Sequence, residues 1–476
     1  MERRLGILAS VKLAKKGMPR PDRDLIEKSV KSTIQKLTSP PAPPMSWSRI
    51  EEVIDEAQKF APKVGRPELE STLSFTRGDM EHELRRTVRE VLTDQKGNYV
   101  EYTWLDRVSP YLPSTSANYI NARSKGGAVG WLVDSELISD LRQPGGYLRL
   151  AMCAPSRPSR QSDQLSWDYI EAAGALFEST PAVKPLGPVG DVAVQLEGVG
   201  ELEEAFSLAW TRMLKRASVE SFDVEPVGLA EALKVRVITK GNPAAQTAMK
   251  ALQRFLYRCL VRFRQFRSLK VGGALTPEFL ESTLGTLKPE QKWLSGDFEA
   301  ATDNLQSWVS ETIVDEIATI LHLAVAERDI AMRLLTGHLF DGARQRTGQL
   351  MGSILSFPVL CIANFALARR VNEIDLSLRG GKLRSQTISL EKAQILVNGD
   401  DLLLKLTGFG RWLWGVVGRE TMGLIESVGK TYFSAEFIEM NSRLFLYDNS
   451  RQRGEYLTDG KVRHHYFFDT PLINLG

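Results

Sequence analysis

Cysteine is scarce in this chain of 476 residues: Cys153, Cys259 and Cys361 stand far apart. Such spacing makes neither a disulfide framework nor a zinc ligand set, and it favours a reducing compartment. Long apolar runs are missing too. None approaches the roughly 18 residues of a membrane span, so no integral membrane segment is expected. Arg3, Arg4, Lys12, Lys15 and Lys16 surround short apolar pieces at the N-terminus without a secretory core and cleavage site, which reads as a soluble basic tail. Nor does one sign of charge dominate. A net charge of +3 and a pI near 8.6 mean that a polyanionic partner must be met by local patches. Internal repeats and long low-complexity tracts are absent. The remainder, 43% hydrophobic and 25% charged, is a globular chain with material for a large core.

Prolines divide the N-terminal part. Thr38–Ser46 (TSPPAPPMS) cannot be helical, because each proline removes a donor and restrains the residue before it. It reads as an extended strap between a basic arm and the rest of the chain. Helices are expected over 51–60 and 76–94, the second with Leu84, Val88 and Val91 on one face. PSTSANYINARSKGGAVG, from Pro113 to Gly130, then offers Ser114, Ser116, Arg123 and Lys125 beside glycines. It suits phosphate and is equally an ordinary polar loop. KVRVITKG (234–241) alternates as a strand should, with Lys234, Arg236 and Lys240 able to line a polyanion channel or to guard a solvated edge. A long helix is expected over 244–267. Opposite its apolar stripe, Lys250, Arg254, Arg258 and Arg262 recur every four residues. Like charges at that spacing disfavour a helix by roughly 0.2–0.5 kcal/mol per pair, so cations without an acidic partner point towards phosphates.

The chemistry concentrates further on. AQILVNGDDLLLKL (393–406) is a hairpin signal: two apolar runs flank an Asn398-Gly399-Asp400-Asp401 corner. Adjacent carboxylates there repel each other unless a divalent cation lies between them, although a plain Asp-rich turn would read the same way. A third carboxylate ends the strand WLSGDF at Asp297, and Asp303 comes soon after, placed to cap or start a helix. Asp297 beside the hairpin would complete a two-metal site for phosphoryl transfer. TGQLMGSILSFPVLCIAN (347–364) is a glycine-bracketed loop entering a helix. Ser353, Ser356 and Asn364 are its polar positions, and a buried Asn needs partners. A helix over 412–428 is expected to stop at Gly429, just before Lys430.

In this order, a basic strand, D-x₅-D, G-x₃-G with a downstream Asn, a GDD hairpin and a Lys-bearing turn resemble the palm of a viral RNA-dependent RNA polymerase. GDFEAATDNL, GQLMGSILSFPVLCIANF and NGDDLLL look most like the ourmia-like (botourmiavirus) group, related to narnaviruses, mitoviruses and leviviruses. The resemblance covers about 234–447, and SANYINARSKGGAVG extends it upstream. It implies an α+β right-hand fold with an antiparallel palm sheet and helical fingers. The parts implied are a basic arm and strap (1–46), an N-terminal extension and fingers (47–290), palm (291–322 and 347–447) and a fingers insertion (323–346). The tail 448–476 is too short for the usual thumb, and the arm and strap are expected to close the product side instead.

Carried over by position, the resemblance makes Asp297, Asp400 and Asp401 ligands of two Mg²⁺ ions, with Mn²⁺ as a substitute. Asp303 and Asn364 would read the ribose 2′-OH. Arg236, with Lys234 and Lys240, would hold the triphosphate of a ribonucleotide. Ser353 and Ser356 would help position template and nucleotide, and Lys430 would protonate pyrophosphate. Asn441, Ser442 and Arg443 would support the priming 3′ end. RNA template and product are the implied partners, and the host cytoplasm the implied location, with organelle association left open. A reverse transcriptase would carry an aromatic sugar gate near Ala300, Ala301 and Thr302. A non-enzymatic RNA-binding protein would account for the cationic helix, but not for carboxylates gathered where an RNA backbone must be welcomed.

Overall fold

The computed structural model describes residues 19–73, 75–108, 117–125, 127–128, 131, 210–269, 275–379, 383, 386–448, 454–456, 462–464 and 466–470. Ser114, Ser116 and most of 448–476 lie outside that set. Mixed helices and antiparallel sheet make up the fold, as expected. In chain order its main elements begin with α1 (Arg23–Thr38), α2 (Trp47–Phe60) and α3 (Arg77–Val91). The hairpin β1 (Glu225–Glu231) and β2 (Lys234–Lys240) comes next, then α4 (Lys250–Leu260), β3 (Lys292–Gly296), α5 (Ala301–Asn304), α6 (Ser307–Ile320) and α7 (Val325–Thr336). After them come α8 (Ser356–Leu378), β4 (Leu396–Asn398), β5 (Asp401–Leu406), α9 (Gly408–Val417), β6 (Tyr432–Ser434), β7 (Phe437–Met440), β8 (Arg443–Tyr447) and β9 (Phe467–Asp469).

The central sheet runs β4-β5-β3-β6 with every pair antiparallel. Its strands are short and apolar, and one face rests on α8, whose residues are almost all buried. The other face packs Trp293 and Leu403 with Ile438, Phe445 and Phe467 of a second sheet, β9-β8-β7. Sandwiched this way, β3 and β5 need no alternation, which is why both read as continuous apolar runs. Lys292 pairs with Leu406 and Gly296 with Leu402. Continuing that register by one residue sets Asp297 across from Asp401.

Several boundaries move from expectation. The helix expected over 244–267 breaks into Pro243–Ala248, α4 and a 3₁₀ segment over Arg264–Leu269. Asp303 caps no long helix: it sits within α5, and α6 starts after Gln306. The helix expected over 412–428 is α9, which ends in a π turn at Gly423. Gly423 takes φ +78°, and a Cβ there would lie 2.1 Å from the Asn304 carbonyl oxygen, so glycine is required. Gly429 turns the chain later, ahead of Lys430.

The N-terminal segment departs most. Residues 23–38 form a helix capped by Asp22, whose side chain accepts from the Leu25 amide, and this helix lies along the β1–β2 hairpin. The strap then crosses beside Asp303, Asn304 and Ile425 before Ser46 caps α2. In its described part, the arm borders the cavity that Asp303 and Asp400 line.

Candidate active site

Two residues turn the β4–β5 hairpin, since Asn398 pairs with Asp401. Gly399 takes φ +68°, and a Cβ on it would lie 2.7 Å from Phe357. Below the turn α8 presents Phe357, Cys361 and Asn364, spaced to share one helix face. The Gly399 amide donates to Cys361 Sγ at 3.3 Å, and Asn364 Nδ2 donates to the carbonyls of Gly399 (3.0 Å) and Asp400 (3.3 Å). Asn364 is 0% exposed: its Nδ2 braces the hairpin, and its Oδ1 is buried without a hydrogen-bond partner. Helical spacing from Phe357 was the available signal for this role.

The carboxylates stand close but not alike. Asp297 Oδ2 accepts from Lys430 Nζ at 2.7 Å, while its Oδ1 is buried with no hydrogen-bond partner. Asp401 Oδ2 accepts from the Asn441 amide at 3.2 Å. Burial, then repulsion from Asp400 and Asp297, pushes Asp401 up to about 7, and burial with Asp297 also raises Asp400. Burial works against the Lys430 charge, yet its hydrogen bond to Asp297 holds the ammonium above its ordinary value. Among the described residues no three metal-type side chains close around one point, so the three-carboxylate set is not assembled as a ready cage. The donors nevertheless fit a divalent ion: all are hard oxygens, one is orphaned, and their mutual repulsion is what a cation would relieve.

A cavity of about 890 Å³ opens from Asp400 and Lys430, lined also by Asp303, Ser353, Arg236 and Lys234. Asp303 is raised by burial, with Lys36 of α1 acting in the opposite direction. Ser353 Oγ is buried without a hydrogen-bond partner. Ser356 lines the same cavity, but its hydroxyl donates to the Leu350 carbonyl at 2.7 Å and so closes the loop. That loop is tied to β2. The Thr239 amide donates to the Met351 carbonyl at 2.9 Å, Gln246 Nε2 to the Gly352 carbonyl at 3.1 Å, and the Ile354 amide to Gln246 Oε1 at 2.9 Å. Nothing in the sequence singled out Gln246.

The expected cations are mostly engaged. Lys234 and Arg236 both pair with Glu231, at 3.1 and 2.9 Å. Lys240 pairs with Glu225 at 3.0 Å and does not line the cavity. In the α4 ladder Lys250 donates to Gln253 at 2.7 Å, Arg258 pairs with Asp106, and Arg262 donates to the Val91 carbonyl at 2.8 Å. The absence of an acidic partner, on which that reading rested, does not hold for Arg258. Arg254 lies on the same helix. Arg123 and Lys125 are exposed on a short turn, close to where the Tyr119 amide donates to the Gly241 carbonyl. Asn441 and Ser442 form a turn at φ +54° and +60°. Asn398 Nδ2 donates to Asn441 Oδ1 at 2.6 Å, and Arg443 pairs with Asp469 at 2.6 Å.

No family model matches this chain. It is 28% identical over 449 residues to the RNA-dependent RNA polymerase of Ourmia melon virus (isolate Melon/Iran/VE9), an alignment covering 87% of this chain. The same alignment covers 44% of that protein, so the chain spans less than half of the relative's length. Among the described residues no helix is long and apolar enough to cross a membrane. The similarity bears out what the motifs suggested: the chain is a homologue of an ourmia-like viral RNA-dependent RNA polymerase.

Proposed function

We propose that the chain is an RNA-directed RNA polymerase that extends an RNA 3′-hydroxyl by template-directed nucleotidyl transfer. One observation carries the reading. A single cavity is lined by Asp400, Lys430, Asp303, Ser353 and Arg236, which is the inventory a nucleoside triphosphate needs. The similarity to a polymerase of the ourmia-like group supports it. In this reading 291–322 and 347–447 are the palm of a right hand, and 47–290 with 323–346 its fingers.

Asp297 and Asp400, with Asp401, would hold two Mg²⁺ ions or Mn²⁺. Bound there, they supply activation of the 3′-hydroxyl and neutralisation of the departing pyrophosphate. The chain's own groups do the rest. Asp303, on the cavity lining, would read a ribose hydroxyl, and Ser353 Oγ offers an uncommitted hydroxyl. Arg236 and Lys234 can exchange Glu231 for phosphate oxygens. Lys430 holds a proton at Nζ, kept there by Asp297 and Asp400. Asn364 acts through the hairpin, keeping Asp400 in place. RNA is the template and product, and Arg123, Lys125, Arg254 and the 441–443 turn are the side chains assigned to it.

Incorporation of labelled ribonucleotides on an RNA template tests the reading. Asp297→Asn and Asp400→Asn should each abolish synthesis while melting and RNA retention stay near wild type. Near-normal incorporation by either variant removes the assignment of the carboxylates.

A further inference from the structure

Helix α1 has two unlike faces. Ile26, Val30, Ile34 and Leu37 form the inner one. A Cβ on Gly228 would come within 2.5 Å of Ile26 Cγ2 and 3.2 Å of Val30 Cγ2, so the helix rests directly on the backbone of β1. Leu37 is buried with Val224, Phe340 and Leu350, and its carbonyl accepts from the amides of Arg346 (2.8 Å) and Thr347 (3.2 Å). The helix is thus seated along its length and pinned at its C-terminal end. It is part of the body of the fold.

The outer face is polar, and it lines the cavity. Lys28, Ser29, Ser32, Thr33 and Lys36 all border the space that also contains Asp400 and Lys430. At 3.6 residues per turn these positions make one continuous stripe. Every one is a hydrogen-bond donor, and no acid or glycine interrupts them. The cations that the sequence nominated for a triphosphate, Lys234 and Arg236, share Glu231. Lys430 is held by Asp297. Among the described residues Lys28 and Lys36 have no ion-pair partner within 4 Å. A polyanion entering this cavity therefore meets two ammonium groups backed by hydroxyls, of which Lys36 also acts on Asp303. A wall of this kind suits the phosphates of a nucleotide.

We propose that Lys28 and Lys36 bind the triphosphate of the incoming ribonucleotide, with Ser32 and Thr33 as supporting donors, so that α1 is one wall of the substrate channel. The inference rests on the polymerase reading and adds to it a substrate contact outside the palm motifs. Lysine is suited to the task because it meets phosphate as a compact point charge and releases it without breaking a fork of paired bonds.

The test uses the purified full chain with ATP, ADP and AMP in equilibrium titrations without RNA, alongside steady-state incorporation. Lys28→Gln and Lys36→Gln should each weaken ATP binding about three- to tenfold, as expected for one charge-assisted contact. AMP binding should hardly change. KM for the nucleotide should rise in parallel with little change in kcat, and Lys36→Arg should restore most of the loss. Lys31→Gln, an exposed lysine that does not line the cavity, should match wild type in every assay. If wild type makes RNA and both glutamine variants bind ATP normally, this inference fails and the polymerase reading stands. Equal weakening of ATP and AMP also overturns it, because the phosphates would then not be what the lysines hold. So does a wild-type chain that binds no ATP. Should wild type make no RNA while the lysine variants still lose ATP affinity, the site stands and the polymerase reading falls.

Discussion

Asp303 faces the cavity and Asn364 does not, which sets opposite expectations for their substitution. Asp303→Ala should lower the preference for ribonucleotides over deoxyribonucleotides, read as the ratio of their kcat/KM values. Asn364→Ala should leave that ratio alone and instead loosen the hairpin, costing about 1–3 kcal/mol of stability for two stranded carbonyls. A shifted ratio in folded Asn364→Ala would return that side chain to the ribose. His338 shows a different residue-scale effect. It is buried against Gln345, whose Nε2 donates to the carbonyls of Leu335, Thr347 and Gly348, so it underlies the loop leading to Ser353. Burial lowers its pKa from 6.5 to about 4. The unfolded chain therefore binds the extra proton between those values. The stabilisation is complete above pH 6.5 and is lost as the pH falls towards 4, by at most roughly 1.4 kcal/mol per pH unit. Urea titrations across that range should show this slope in wild type and a flatter one in His338→Asn. At this scale the sequence was readable where a residue was chemically out of place. Asp400-Asp401 at the tip of an apolar hairpin announced a use, whereas a buried Asn announced only that it needed partners. Carbonyls of the hairpin satisfy its Nδ2, while its Oδ1 has no hydrogen-bond partner.

Helix α3 is read from its spacing as a charged helix with one apolar face, and the helix forms, begun by a reciprocal capping box between Thr76 and Asp79. Arg77 stays largely exposed, but the later arginines reach other helices. Arg85 pairs with Asp315 and Glu316 of α6, at 3.0 and 2.8 Å, and Arg86 with Glu373 of α8 at 3.0 Å. Arg369 of α8, 0% exposed, reaches back to Glu83 at 2.6 Å and Glu90 at 2.7 Å. These acids and bases lie hundreds of residues apart, so local periodicity could identify the helix but not its charge partners. Burial is also why the network matters: it raises the pKa of Glu83 despite Arg369 and Arg86, the mark of a carboxylate that depends on its partners. Arg369→Met should cost about 3–5 kcal/mol in urea unfolding, because it leaves buried Glu83 with Arg86 as its one remaining cation among the described residues. The paired change Arg369→Met with Glu83→Leu should recover much of that loss. If the double variant is as unstable as the single one, the arginine contributes by packing and not by charge.

Across the whole molecule, the palm-like motifs and their order were legible in the sequence, while the placement of the N-terminal segment had no local signal. A basic, proline-containing arm can reach either side of a cleft, and only tertiary contacts decide which. Here Leu37 anchors residues 23–38 beside the cavity. It sits behind Gly348, where φ is +74° and a Cβ would lie 2.6 Å from Leu37 Cδ2 and 2.8 Å from the Asp303 carbonyl oxygen. One side chain thus couples the helix over the cavity to the loop that carries Ser353 and to the segment that carries Asp303. Removing residues 1–46 should therefore impair addition of the first nucleotide at least as much as it shortens products. Single-turnover addition and product-length distributions on the same primed RNA separate these effects. The deletion also strips cover from Val224, Phe340 and Leu350, so Leu37→Ala is the gentler companion, expected to cost about 2–5 kcal/mol of stability and to raise nucleotide KM. A truncated chain that adds one nucleotide at the wild-type rate and then falls off would place the segment on the product instead.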